Sequence, residues 1–196
     1  MAGVMSAMSQ GPSVFLLAGQ SNMSGRGGVI NDNKTNSLIW NGQVPPECSP
    51  NPNILTLDLD KTWKVAQEPL HHQIDRLKPC GIGPGMHFAH EILAKDPSFG
   101  AIGLVPCAIG GTKIAQWQKG TPLYNLLVVI ASAEGNYMDA VRNAEMTIRL
   151  KNVQTVDAMG STFIQDQKHL NSESQIRLGQ KLAEKFSFLF FPLINR

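Results

Sequence analysis

The segment Val14 to Gly28, VFLLAGQSNMSGRGG, constrains the fold more than any other part of the chain. Val14 to Ala18 is a continuous apolar run of strand length, the pattern of a strand buried on both faces of a parallel sheet. Gly19-Gln20-Ser21-Asn22-Met23 follows it directly and is mostly small or polar. A strand that stops in this way presents a hydroxyl at the carboxyl edge of its sheet, where open α/β sheets bind their ligands. Ser21 is therefore the candidate nucleophile. The alternative is a turn serine that caps the next helix, and this segment alone fits both. Met23 stands where a Gly-x-Ser-x-Gly nucleophile elbow requires glycine, so that motif is absent.

Three further runs read as strands: Ala101 to Cys107, Val128 to Ala131 and Val153 to Val156. None alternates cleanly, which again points to parallel strands covered on both faces. Asn31 to Cys80, rich in Asn and Pro, reads as an elaborated loop with at most short structure. Gly83-Pro84-Gly85 opens a helix over Met86 to Lys95, with Met86, Ala89, His90, Leu93 and Ala94 on one face, and Asp96-Pro97 ends it. A second helix is predicted over Asn136 to Leu150, with Val141, Ala144 and Ile148 inward. The last helix follows Asn171-Ser172, where Ser172 and Gln175 read as a capping box. Its buried stripe is Ile176, Gly179, Leu182, Ala183 and Phe186. Strands alternating with helices make an α/β domain over residues 13–196, behind a disordered arm over residues 1–12. One joint is too short. Thr112 to Val128 has room for a loop and little more, yet a crossover between parallel strands needs a dozen or more residues, usually a helix.

Composition removes several function classes. A length of 196 residues fits one domain, and 16% charged residues with a net charge of +2 and no basic stripe argue against nucleic acid as a partner. Cys48, Cys80 and Cys107 form no disulfide framework and match no zinc spacing. An odd cysteine count behind an N-terminus without a charged start or an apolar core predicts a reducing, cytoplasmic compartment. The apolar tail Phe186 to Ile194 is too short for a membrane span and contains Pro192, so no membrane partner is expected. Oligomeric state is left open.

The second chemically telling segment is Asp166-Gln167-Lys168-His169. A serine nucleophile needs a base that works near neutral pH, and the base needs an acid on its other ring nitrogen. Asp166 and His169, three apart on a tight turn, can supply both; a solvated polar loop is the alternative. The Ser21 N–H and the glycines of Ala108-Ile109-Gly110-Gly111-Thr112 are candidate oxyanion donors, against a plain strand-to-helix turn. Gln116 and Trp117 just beyond are candidates for lining the site, although Trp117 packing on the sheet fits equally. His87 and His90 share a helical spacing without a third metal ligand, and His71-His72 reads as an exposed loop pair. Gly81-x-Gly83-x-Gly85 lacks the dinucleotide register, and Gly25-Arg26-Gly27-Gly28 lacks the Lys-Ser/Thr of a phosphate loop.

Taken together, LLAGQSNMSGRGG (Leu16 to Gly28), EPLH (Glu68 to His71), GIGPGMHFAHEI (Gly81 to Ile92), GLVPCAIGGTKIAQW (Gly103 to Trp117) and VDAMG through DQKHLNSESQIRLG (Val156 to Gly179) resemble the plant carbohydrate esterases related to sialate O-acetylesterases, within the SGNH-hydrolase superfamily. The resemblance implies a three-layer α/β/α sandwich of flavodoxin-like type. It implies Ser21 as nucleophile, His169 as base and Asp166 as its orienting acid. Gly110 or Gly111 then gives an oxyanion N–H, and Gln20 and Asn22 flank the nucleophile as oxyanion or substrate contacts. The implied reaction is hydrolysis of acetyl or other short acyl esters on carbohydrates, with no cofactor and no metal. One departure stands out. Family members carry a strand ending in Trp-Tyr-Gln-Gly-Glu after the GGT segment, and its glutamine resembles a third oxyanion donor. Here GTPLYNLLV runs directly into VIASAEGNYMDAVRNAE, as though a central strand and its helices had been excised near Leu126 to Val128. This is the joint that is too short on physical grounds. The alternatives to an esterase are therefore an inactive carbohydrate-binding or regulatory protein, or a truncated splice product.

Overall fold

The computed structural model describes residues 11–117 and 155–194. The strands in chain order are β1 (Ser13–Leu17), β2 (Val29–Asp32), β3 (Ser37–Trp40), β4 (Ile54–Leu57), β5 (Trp63–Val65) and β6 (Ile102–Pro106). The helices are α1 (Ser21–Ser24), α2 (Gly85–Lys95) and α3 (Ser172–Ile194), with 3₁₀ turns at Pro46–Cys48 and Ile114–Trp117. The main sheet runs β1-β6-β4-β5, and β2-β3 is a separate antiparallel hairpin. β6 pairs in parallel with β1 from Ser13↔Ile102 to Leu17↔Pro106, and with β4 from Ile54↔Ile102 to Thr56↔Leu104. β5 runs antiparallel to β4, so the sheet is mixed.

The structure within Asn31 to Cys80 is short, as expected, but β4 and β5 there extend the main sheet, which the sequence does not show. Four and three residues long, they are strands because of what they pair with, which local pattern does not reveal. Burial on both faces holds for β6, where Ile102, Gly103 and Leu104 are all buried. Gly103 permits it, since a Cβ there would lie 2.6 Å from the Trp63 ring. The same expectation fails for β1. Phe15 and Leu17 face the core, but Val14 and Leu16 are 55% and 56% exposed.

α2 and α3 pack on one face of the sheet around Ile54, Ile82, Met86, Ile92, Ile102 and Leu104, each fully buried and contributing about 1.5–3 kcal/mol. The inward face of α2 differs from the expected stripe. Met86, Ala89 and Ile92 are buried, whereas Leu93 is half-buried and Ala94 is exposed. α3 approaches α2 closely at Gly179, where a Cβ would lie 2.5 Å from the Pro84 carbonyl oxygen. The cap of α3 is Asn171 rather than Ser172, for the Asn171 Oδ1 accepts the Ser174 N–H at 2.9 Å. Gln175, the other half of the expected capping box, is wholly buried with both side-chain polar atoms unpaired among the described residues. Phe186 of α3 meets Phe15, Phe88 and Phe99 edge-on at centroid distances of 5.1, 6.1 and 5.9 Å, the geometry aromatic pairs prefer. No helix among the described residues is long and apolar enough to cross a membrane. The strand expected over Val128 to Ala131, the helix over Asn136 to Leu150 and the excision joint lie outside the described residues. Of Val153 to Val156, Thr155 and Val156 are described, and neither is in a strand.

Candidate active site

β1 ends at Leu17, and its last carbonyl accepts the Cys107 N–H at 3.0 Å, which aligns the carboxyl ends of β1 and β6. The chain then turns through Gly19, whose φ of 144° excludes most side chains, and enters α1 with Ser21 as its first residue. Ser21 and Asn22 are half-buried, and Gln20 is exposed. The loop after β6 folds over this turn. The Ile109 N–H reaches the Gly19 carbonyl at 3.3 Å, and a Cβ on Gly110 would lie 3.3 Å from the Ser21 Cβ. Gly110 is a glycine chiefly because Arg26 and Asp75 beneath it leave no space for a side chain.

Beneath the turn is a buried ionic cluster that sequence reading missed. Asp75 Oδ2 accepts from Arg26 Nη2 at 2.5 Å, Ser24 Oγ at 2.8 Å and the Gly110 N–H at 3.0 Å. Arg26 Nη1 also donates to Ser24 Oγ at 2.7 Å and to the Gly25 carbonyl at 2.9 Å. Burial works against the Asp75 charge, but Arg26, Ser24 and Gly110 outweigh it and hold the carboxyl below its ordinary range. Arg26 is therefore the counter-ion of a buried acid, and Gly25 to Gly28 form no phosphate cradle.

The acid–base turn is built locally. His169 Nδ1–H donates to Asp166 Oδ2, while Asp166 Oδ1 accepts the N–H groups of Lys168 at 2.9 Å and His169 at 3.0 Å. Gln167 between them takes a φ of 56°, which closes the turn. Partial burial again opposes charge on Asp166, but the His169 ring and the two N–H groups prevail and lower its pKa. With Nδ1 donating, Nε2 is the free acceptor, the tautomer a general base needs. The Leu170 N–H donates to Asn22 Oδ1 at 3.0 Å, pinning this turn to the neighbour of Ser21. The structure thus brings Asp166 and His169 into contact and ties their loop to α1, which begins at Ser21. Ser21 Oγ and His169 Nε2 share no hydrogen bond among the described residues, a separation common before substrate arrives.

The other sequence candidates take separate places. The Gly110 N–H is committed to Asp75, whereas the N–H groups of Ser21 and Gly111 have no acceptor among the described residues. Gln116 is exposed, its Oε1 accepting the Lys113 N–H, and the Trp117 side chain lies outside the described residues. His71 is not exposed as expected. It is 1% exposed, its Nε2–H donates to the Leu17 carbonyl at 3.1 Å, and burial holds its pKa down to about 4. His72 does face solvent. In the same EPLH segment, desolvation pushes Glu68 up to about 7, against the Leu70 and Gly83 N–H groups that its carboxyl accepts. His87 is buried beside Glu91, and His90 Nε2–H donates to the Ser49 carbonyl at 2.7 Å, so the pair shares no ligand. Among the described residues no group of three or more His, Cys, Asp or Glu is placed to hold a metal. A cleft of about 380 Å³ opens at the carboxyl ends of β4 and β6, lined in part by Leu57, Gln67, His72, Gln73 and Pro106.

The family model for carbohydrate esterases of the sialic acid-specific acetylesterase type matches residues 12–129 and 125–187. The chain belongs to this carbohydrate esterase family. A probable carbohydrate esterase of Arabidopsis thaliana is 35% identical, over 88% of this chain and 89% of the relative. The X-ray structure of an Arabidopsis thaliana protein superposes with a TM-score of 0.83 at 36% identity, covering 90% of this chain and 98% of that one. The family match breaks into two stretches that meet at residues 125–129. The alignment to the curated relative runs over 232 positions, although 88% of 196 residues is only about 172. Roughly 60 residues of this carbohydrate esterase's relative thus face no counterpart, and the family match breaks where the sequence joint was too short.

Proposed function

We propose that the chain hydrolyses acetyl or other short acyl esters on carbohydrates through Ser21, His169 and Asp166. The observation that carries this is the contact of His169 Nδ1 with Asp166 Oδ2, on a loop pinned to Asn22 beside Ser21. In this reading Ser21 Oγ attacks the ester carbonyl as His169 Nε2 takes its proton. The tetrahedral oxyanion is met by the N–H groups of Ser21 and Gly111. The C–O bond to the sugar breaks, and the sugar oxygen leaves with the proton from His169. Water, deprotonated by His169, then attacks the acyl-serine; the bond from Ser21 Oγ to the acyl carbon breaks as His169 returns the proton to Oγ, and the acid leaves and ionises. The cleft at the ends of β4 and β6 lies on the same edge of the sheet and offers space for the sugar.

Acetate release from an acetylated sugar or an aryl acetate tests this reading beside Ser21→Ala at matched folding. Turnover that the substitution abolishes is the expected result. Turnover that survives it, or labelling of another residue by an organophosphonate, would remove Ser21 from the mechanism.

The internal gap favours a second reading. A chain without the Trp-Tyr-Gln-Gly-Glu segment has lost one oxyanion donor, and losing a single donor typically costs ~10²–10³ in kcat. The family fold then serves carbohydrate binding without ester turnover. Saccharide binding by calorimetry, with no acetate released by a cooperatively folded chain, distinguishes this reading from the first.

A further inference from the structure

Asp75 belongs to none of the motifs that define the site, yet it touches every part of the nucleophile's support. It is 1% exposed, and its Oδ2 gathers donors from three separate stretches: Ser24 of α1, Arg26 of the following turn and Gly110 of the loop after β6. Ser24 Oγ also lies 3.2 Å from the Ser21 carbonyl oxygen, so the carboxylate is one hydroxyl away from the nucleophile's own backbone. Arg26, 3% exposed, neutralises the charge.

Stability does not account for this construction. A buried ion pair is often no better for stability than apolar residues of the same volume, because desolvation offsets the attraction. The pair is not even fully satisfied, for Asp75 Oδ1 is buried without a hydrogen-bond partner among the described residues. What the cluster delivers is a fixed distance. Gly110 itself has no side chain to anchor it, for a Cβ there would lie 2.5 Å from Arg26 Nη2 and 2.9 Å from Asp75 Oδ2. The loop's hold on the nucleophile turn is the N–H bond to Asp75 and the longer Ile109 to Gly19 bond. Oxyanion donors act only when held in place before the charge develops.

We infer that Asp75 is a positioning residue for ester hydrolysis: by taking the Gly110 N–H, it sets the Gly110–Gly111 turn against Ser21 so that the Gly111 N–H remains the loop's donor. This inference rests on the esterase reading above.

The test is Asp75→Asn in the full chain. Functional sites are counted by titration with a fluorophosphonate, and kcat is expressed per titrated site. A fall in kcat of about 10–100-fold with KM within twofold is expected, since the donor is displaced and not removed. A purely structural role would lower the number of sites and leave kcat per site alone. Ser24→Ala withdraws one of the three bonds to Asp75 more mildly and is expected to give a smaller fall of the same kind. It decides the matter if Asp75→Asn does not fold. Unchanged kcat per site in the folded variants overturns the inference while leaving the esterase reading intact. A wild-type chain that neither turns over nor labels overturns the esterase reading instead. The Gly110 amide then reports on Asp75 directly: its hydrogen exchange is expected to accelerate in Asp75→Asn, and unchanged protection in that variant would refute the positioning role.

Discussion

Ser21 and His169 are held by two different constructions. Ser21 stands on a buried platform assembled from residues 24, 26, 75 and 110, in which Ser24, Arg26 and Asp75 are at most 3% exposed. His169 stands on a surface turn made almost wholly by its own neighbours, with the side chains of His169 and Asp166 19% and 31% exposed. The platform couples Ser21 to the stability of the whole domain. The turn can be damaged without unfolding anything. The contrast predicts that chemistry and stability separate cleanly between the two regions.

The largest effect is expected on the exposed side. Asp166→Asn keeps the backbone acceptor but favours the wrong imidazole tautomer, so kcat should fall by up to ~10⁴ while stability moves by less than ~0.5 kcal/mol. Steady-state kinetics paired with urea unfolding check both. The platform should behave in the opposite way. Arg26→Ala leaves the Asp75 carboxyl buried and unpaired and should cost ~3–5 kcal/mol of unfolding free energy. A loss under 1 kcal/mol would break the comparison by showing that water reaches Asp75.

The EPLH segment sharpens the contrast through pH. His71 titrates near 4 in the folded chain and near 6.5 unfolded, so its contribution to stability is complete above pH 6.5 and is lost on acidification toward 4. Glu68 titrates near 7 folded and 4.5 unfolded, so its contribution is complete below pH 4.5 and is lost as pH rises to 7. Between pH 4.5 and 6.5 the two slopes oppose each other. His71→Asn should therefore shift the profile toward stability that declines with rising pH, and Glu68→Gln toward stability that rises, each by at most ~1.4 kcal/mol per pH unit. Urea unfolding across that window measures the difference between each variant and its parent. The smallest effect is expected where the two regions meet. Asn22→Ala removes the acceptor of the Leu170 N–H and should cost ~1 kcal/mol while raising the exchange rate of that amide.

The same division decides what the sequence discloses. Asp166 and His169 were legible because their contact lies three residues apart on one turn. β1, β6, α2 and α3 were legible because apolar runs and helical periodicity are local signals, and the ends of β1, β6 and α2 and the start of α3 fall within a residue or two of expectation. The sequence points to Ser172 as the cap where the structure uses Asn171, because adjacent polar residues offer the same chemistry. β4 and β5 were missed because strands of four and three residues carry too few positions to show a period. The burial of His71 depends on a carbonyl 54 positions away, and the Arg26–Asp75 pair spans 49, so neither has a local signature. The α/β class was legible in the order of apolar runs and helical stripes, and the carbohydrate esterase family in the short motifs between and within them.

The four-phenylalanine cluster has a consequence for how this chain is made. Phe15, Phe88 and Phe99 leave the ribosome well before Phe186, which packs on all three. At ~5–20 residues per second the first three rings wait several seconds for the fourth. During that interval the face of the sheet that receives α3 is apolar and uncovered. A growing chain of this architecture therefore passes through a period in which chaperone capture competes with completion of the core.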